Sequence, residues 1–206
     1  MVNDIISAIL QVLVFTLIPL IVYLIQRRSV KGFFNYIGLF KPEKNAVYLS
    51  ILTAFIFLMG GIGLVLLNDN IKEVMFTPPS ITGKLRVLGI SAESIFILLL
   101  IAGIKTSLSE EILFRGFIAK RLINTLGFYR GNFLQALIFS LIHGLLFWTL
   151  TKAGVTFIIF ILLFSGFAGY VVGIINDKKG NGSIIPGWIA HGLGNTISYF
   201  TIAFLL

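Results

Sequence analysis

The 206-residue chain contains no cysteine. That excludes disulfide staples, a thiolate nucleophile and a Cys-ligated metal centre, so any chemistry must come from other side chains. Charge is scarce as well: Asp, Glu, Lys and Arg make up 12% of the residues and hydrophobic types 57%, whereas a typical soluble domain is about a quarter charged. A soluble core of this size cannot absorb so much apolar surface. Several uncharged stretches reach the roughly 20 residues that a helix needs to cross a hydrocarbon layer of about 30 Å, so the lipid bilayer is the expected solvent. Acidic residues are rarer than basic ones, eight against sixteen, for a net charge of +8. The basic residues lie in short connecting segments and not along one polar helix face, which fits membrane topology and argues against a nucleic-acid partner.

Six hydrophobic regions divide the chain. The first, Ile5 to Ile25, is uncharged and too long for a signal-peptide core; with no basic n-region before it and no small-residue cleavage site after it, it reads as a retained crossing helix. Pro19 lies inside it, tolerable where neighbouring helices satisfy the freed carbonyl. Basic and aromatic residues then mix from Arg27 to Pro42, as in a short segment at headgroup level. The second run is Ala46 to Leu67, followed by a polar stretch from Asn68 to Lys84 with Pro78 and Pro79, expected to be a loop. The third, Val87 to Ala119, exceeds one straight span and holds Glu93, Lys105, Glu110, Glu111 and Arg115, so a broken or re-entrant helical unit is expected, with its break between Gly103 and Ser109. Asn132 to Thr151, Ala153 to Asn176 and Ser183 to Leu206 complete the set. The expected fold is all-α: a polytopic transmembrane helical bundle of six to seven membrane helices with a short interfacial segment. Whether the third region crosses once or twice is open.

Ten basic residues fall in loops on one side: Arg27, Arg28, Lys31, Lys41 and Lys44, then Lys120, Arg121 and Arg130, then Lys178 and Lys179. The opposite loops hold Lys72, Lys84, Arg86 and Lys152. Positive charge marks the cytoplasmic side, so both termini are expected to be extracytoplasmic. A third region that crossed twice would invert everything after it.

Charged side chains near a helix centre in lipid cost about 2.5 to 3.5 kcal/mol each on insertion scales, so Glu110, Glu111 and Arg115 need partners or a wet cavity. Positions four apart share a helix face, which sets Arg115 under Glu111 and leaves Glu110 aimed elsewhere as a free carboxylate. Taken alone, the three form a plausible structural salt-bridge knot. The two histidines sharpen the reading. His143 stands four residues after Phe139 in a stripe with Gln135 and Phe147, and His191 stands four before Asn195, one turn after Gly187, which lets another backbone approach. Each histidine alone reads as a packing hydrogen-bonder. Together, Glu, His, His and Asn on three helices can converge on one cavity, where Glu and His deprotonate a water and His and Asn donate to the oxygen of a tetrahedral intermediate. Intramembrane Glu, His and Arg also mark proton relays, but no inverted repeat supports a transporter. Ser165, Gly169 and Gly173 form a ridge of small residues suited to close helix packing.

Three strings carry a resemblance: Glu110-Glu111-Ile112-Leu113-Phe114-Arg115-Gly116, Phe139-Ser140-Leu141-Ile142-His143, and His191-Gly192-Leu193-Gly194-Asn195. They resemble, in order and spacing, the E-E-x-x-x-R, F-x-x-x-H and H-x-x-x-N motifs of the CPBP family, the CAAX proteases and bacteriocin-processing enzymes. The resemblance covers about residues 87–206 as a catalytic membrane core and leaves 1–86 as N-terminal membrane helices with the interfacial loop. It implies an intramembrane endopeptidase in a bacterial plasma membrane, with Glu110 and His143 activating water, His191 and Asn195 as oxyanion donors, and Glu111, Arg115 and Phe139 as structural support. The family is often described as metalloproteases; a metal such as zinc would fall to Glu110, His143 and His191, but the favoured mechanism uses glutamate without a cofactor. The implied partners are a prenylated, bacteriocin-type or other membrane-protein substrate and the bilayer, with oligomeric state unspecified. A non-catalytic scaffold or bacteriocin self-immunity protein is the alternative.

Overall fold

The computed structural model describes residues 1–78, 80–150 and 154–206. Pro79 and Lys152, with the run ends Thr151 and Ala153, lie outside the described residues. Among the described residues the fold is all-helical. We number the helices α1 (Val2–Arg27), α2 (Phe33–Ile37), α3 (Lys44–Leu66), α4 (Asp69–Phe76), α5 (Ile81–Leu88), α6 (Ala92–Leu126), α7 (Phe128–Leu150), α8 (Val155–Lys179) and α9 (Ile185–Phe204).

Five of these, α1, α3, α6, α7 and α8, are long and apolar enough to cross a membrane. The expected count of six to seven is not confirmed among the described residues: a sixth helix, α9, is long enough to cross but too polar to count as a span by composition. Its 20 residues include His191, Asn195, Thr196, Ser198 and Thr201. Of these, His191, Asn195 and Ser198 line an interior cavity, and α9 packs along α3, α6 and α5. On the outside, Ile6, Leu10, Leu13, Leu17 and Ile21 of α1 are exposed, as are Leu52, Phe55 and Met59 of α3 and Leu141, Leu145 and Trp148 of α7. In water this would be an aggregating surface; it is what lipid requires.

The expected break in the third region is absent. Helix α6 is continuous over 35 residues, about 50 Å at the α-helical rise, which is enough for one crossing of about 30 Å of hydrocarbon with length to spare. In place of a break, Leu100–Leu108 and Glu111–Ala119 are wound as π-helix. The wider turn leaves carbonyls to other donors. Ser107 Oγ donates to Ala102 O at 2.6 Å, Trp188 Nε1 of α9 to Gly103 O at 2.6 Å, and Gln11 Nε2 of α1 to Lys105 O at 2.9 Å. Lys105 itself forms no ion pair among the described residues.

The stretch expected as a loop before α6 holds two short helices instead. Asn68 caps α4 by accepting from Ile71 N, and Ser80 caps α5 by accepting from Gly83 N. Lys84 of α5 reaches Asp4 of α1 at 2.6 Å, and Arg86 reaches Ile202 O at the end of α9. At the other end of the bundle, Ser183 Oγ donates to Phe40 O at 2.5 Å, Ile184 N to Gly38 O at 2.8 Å, and Arg121 stacks 3.5 Å over the Tyr36 ring. That end gathers the basic segments around α2. Gly38 is positive in φ, and a Cβ there would meet Gly182 O at 2.5 Å.

Helices α7 and α8 close on the ridge of small residues. Asn132 Nδ2 donates to Tyr170 O at 3.0 Å, Gln135 Nε2 to Gly169 O at 2.9 Å, and Ser140 Oγ to Leu162 O at 2.6 Å. A Cβ at Gly173 would lie 1.8 Å from Asn132 Oδ1, which also accepts from Gln135. Gly173→Ala therefore dislodges an amide that bridges both helices and should cost about 1–3 kcal/mol of stability. Gly63→Ala, where a Cβ meets nothing within 4 Å, should be neutral or stabilising by about 0.5–1 kcal/mol. Thermal unfolding of the two variants in detergent measures both.

Candidate active site

The middle of α6 holds adjacent carboxylates in unlike surroundings. Glu111 is fully buried and Arg115 is 4% exposed. Arg115 Nη1 stands 3.3 Å from Glu111 Oε1, the i, i+4 pairing expected from the sequence, although the contact lacks hydrogen-bond alignment. Asn176 of α8 completes the arrangement: its Nδ2 donates to Glu111 Oε2 at 3.1 Å and its Oδ1 accepts from Gly187 N at 2.7 Å. Gly187 was expected to admit another backbone. It makes room for side chains instead, since a Cβ there would lie 2.4 Å from Glu111 Oε2 and 2.6 Å from Asn176 Nδ2.

The same carboxylate faces the last helix. His191 Nδ1 is 3.6 Å from Glu111 Oε1, and His191 Nε2 is 3.9 Å from Glu110 Oε2. His143 Nε2 of α7 approaches Glu110 Oε2 to 4.0 Å. Three helices thus bring Glu110, His143 and His191 together. Arg115 stacks 4.2 Å above the Phe139 ring, which packs 4.1 Å from His143 and edge-on against Phe114. Asn195, one turn beyond His191, donates weakly to Ser107 Oγ at 3.4 Å.

Glu110 Oε2 is buried and has no hydrogen-bond partner among the described residues. His143 Nδ1 lies 2.9 Å from Phe139 O, a group that can only accept. The proton therefore sits on Nδ1, and Nε2 of the neutral ring is an acceptor. Two acceptors 4.0 Å apart cannot bond each other. A water supplies two donors and fits between them, each of its bonds about 2.8 Å long. One tetrahedral zinc is a poorer fit, because ligands held at 2.0–2.2 Å stand only about 3.4 Å apart. Among the described residues, no group of three or more His, Asp or Glu is arranged to hold a metal ion.

The histidines and Asn195 line a cavity of about 310 Å³ whose wall is otherwise mainly apolar, including Phe57, Leu64, Phe147, Phe164 and Ile202. It extends toward the end of the bundle formed by α4 and α5 through Ile71, Met75 and Ile81. The sequence reading treated the first helices as anchors and missed Phe57 of α3, edge-on to His191 at 6.2 Å, and Gln11 of α1, bound to Ser109 Oγ at 3.1 Å. It also missed Asn176. A polar residue at a helix end, Asn176 beside Asp177 and Lys178, carries no signal of the buried carboxylate that it serves.

The fold and this constellation define an integral membrane protein with a polar centre enclosed between apolar helices. A family model described as type II CAAX prenyl endopeptidase Rce1-like matches residues 92–197, from the first residue of α6 into α9. The chain belongs to this family of CAAX-type intramembrane proteases. No curated protein and no solved structure matches the chain.

Removing one member of a buried ion pair strands the other, at a cost of about 3–5 kcal/mol. Arg115→Met should therefore destabilise the protein by that order, read as a lowered unfolding midpoint. Surface Lys178, paired with Asp177 at 3.6 Å and half-exposed, should change stability by under about 1 kcal/mol when replaced by Ala.

Proposed function

We propose that the protein is an intramembrane endopeptidase in which Glu110 activates a water without a metal. The observation that carries this reading is the buried, unpartnered Glu110 Oε2 facing two imidazole Nε2 atoms at 3.9 and 4.0 Å. A water between Glu110 and His143 gives a proton to the Glu110 carboxylate as its oxygen attacks the scissile carbonyl carbon. The carbonyl π electrons move to the oxygen, which accepts hydrogen bonds from Asn195 Nδ2 and His191 Nε2. Donation from His191 needs a proton on Nε2. Collapse of the tetrahedral adduct breaks the C–N bond, and the proton held by Glu110 passes to the leaving amine.

The substrate is a membrane-associated peptide, of prenylated or bacteriocin type, whose apolar part enters the cavity of about 310 Å³. The basic end around α2 faces the cytoplasm and both termini lie opposite, in a bacterial plasma membrane.

Loss of a general base costs about 10²–10⁴-fold in rate, and loss of one oxyanion donor about 10²–10³-fold. Glu110→Ala and His143→Ala should abolish measurable peptide cleavage in detergent with helix content retained, and Asn195→Ala should lower kcat by the second factor with KM kept. Chelator should leave turnover intact. Full cleavage by Glu110→Ala would falsify the mechanism; a chelator-sensitive enzyme with bound metal would replace it with a metal-based one. Absence of any turnover, with the substitutions altering only stability, would leave a scaffold or immunity role.

A further inference from the structure

Hydrolysis consumes one water per bond broken, yet the large cavity is walled chiefly by apolar side chains and is the place where an apolar substrate would sit. A second, much smaller cavity of about 20 Å³ lies on the other side of Arg115, which lines both. Its wall includes Arg115, Asn176, Lys120, Asp177, Gly182 and Ala119. Lys120 Nζ is tied to Gly182 O at 2.6 Å, and the Asp177 side chain is 32% exposed, so this cavity meets the surface at the basic end of the bundle. Arg115, only 4% exposed, keeps Nε and Nη1 without a hydrogen-bond partner among the described residues, Nη1 having only the misaligned Glu111 Oε1 at 3.3 Å. Guanidinium nitrogens only donate, so what belongs beside them is an acceptor. A water needs about 10–15 Å³ by this measure, and little else fits the space.

We infer that this small cavity is a water site on Arg115 and the route by which hydrolytic water enters from the basic end, separate from the route of the apolar substrate. From Arg115 the polar groups continue inward without interruption: Glu111 at 3.3 Å, His191 at 3.6 Å from Glu111, and Glu110 at 3.9 Å from His191. This polar string of contacting side chains, and not the apolar wall of the large cavity, lies between the small cavity and Glu110, so water passing inward would do so by their transient separation. The supply role rests on the endopeptidase reading; the hydration of the cavity does not.

The absence of cysteine makes the test clean. Ala119 is 4% exposed and lines the small cavity, whereas Ala203 is 3% exposed inside a dry apolar cluster with Leu85, Ile97 and Leu98. The full-length Ala119→Cys and Ala203→Cys variants, purified in detergent, are exposed to silver ion, a soft, charged, ion-sized probe that binds thiolate. Unreacted thiol is then counted with a maleimide after unfolding. The expected result is rapid protection in Ala119→Cys and none in Ala203→Cys, with silver removing most of the peptide turnover of Ala119→Cys, a thiol wash restoring it, and the parent chain unaffected. Equal, slow reaction at both positions makes the cavity dry and overturns the inference. Protection at position 119 with turnover unchanged overturns the supply role. A parent chain without turnover sinks the endopeptidase reading and the supply role with it, while the hydration of the cavity still stands or falls on the silver result.

Discussion

A fully buried carboxylate inside a membrane bundle is tolerable only if charge and hydrogen bonds replace the water it has lost. Glu111 meets that demand with Arg115 from its own helix, Asn176 from α8 and His191 from α9. Each partner fixes something further. Arg115 stacks on Phe139, and Phe139 packs on His143. Asn176 holds Gly187 N, one residue past Pro186 in the first turn of α9. One ionic group therefore ties α6 to α8 and α9 directly and to α7 through a ring.

The π winding of α6 lets this happen in a continuous helix. An α-helix satisfies nearly all its own carbonyls and offers neighbours little but side chains. The widened stretches of α6 expose carbonyls that Gln11 and Trp188 occupy from two other helices. Such windings occur often at functional sites, and here Glu110 stands between two of them. The polar connections to α1 and α9 flank the carboxylates and hold them at depth, where a break in the helix would have exposed backbone groups to lipid.

Composition made the membrane class plain, and the i, i+4 spacing set Arg115 against Glu111 because helical register alone determines that contact. The grouping of Glu110 with two histidines was also legible, since in an apolar chain every polar residue has to go somewhere. Less could be read where the sequence states a composition and not a conformation. The length and charges of the third region suggested a break, but nothing in Gly103 to Ser109 distinguishes a broken helix from a widened one. The polar stretch before α6 resembled a loop because eight-residue helices are too short for a periodicity to stand out, although the caps Asn68 and Ser80 were present to be read. Helix α9 counted as a span by length, while its own His, Asn, Ser and Thr residues already marked it as a helix needing protein around it. Asn176 and Phe57 could not be found at all, because their contacts are tertiary.

The adjacency of Glu110 and Glu111 explains why one chemistry needs both. Neighbouring residues on a helix point about 100° apart, so two identical side chains receive different surroundings at no cost in chain length. Glu111 is committed: Oε2 accepts from Asn176, and Oε1, though without an aligned hydrogen bond, is held between the Arg115 guanidinium and His191 Nδ1. Glu110 is the reverse, with a buried oxygen held short of hydrogen-bond distance from two rings. An oxygen in that position stays within the membrane only because the neighbour has already fixed His191 and, through Arg115 and Phe139, His143. The committed carboxylate is what keeps the uncommitted one free.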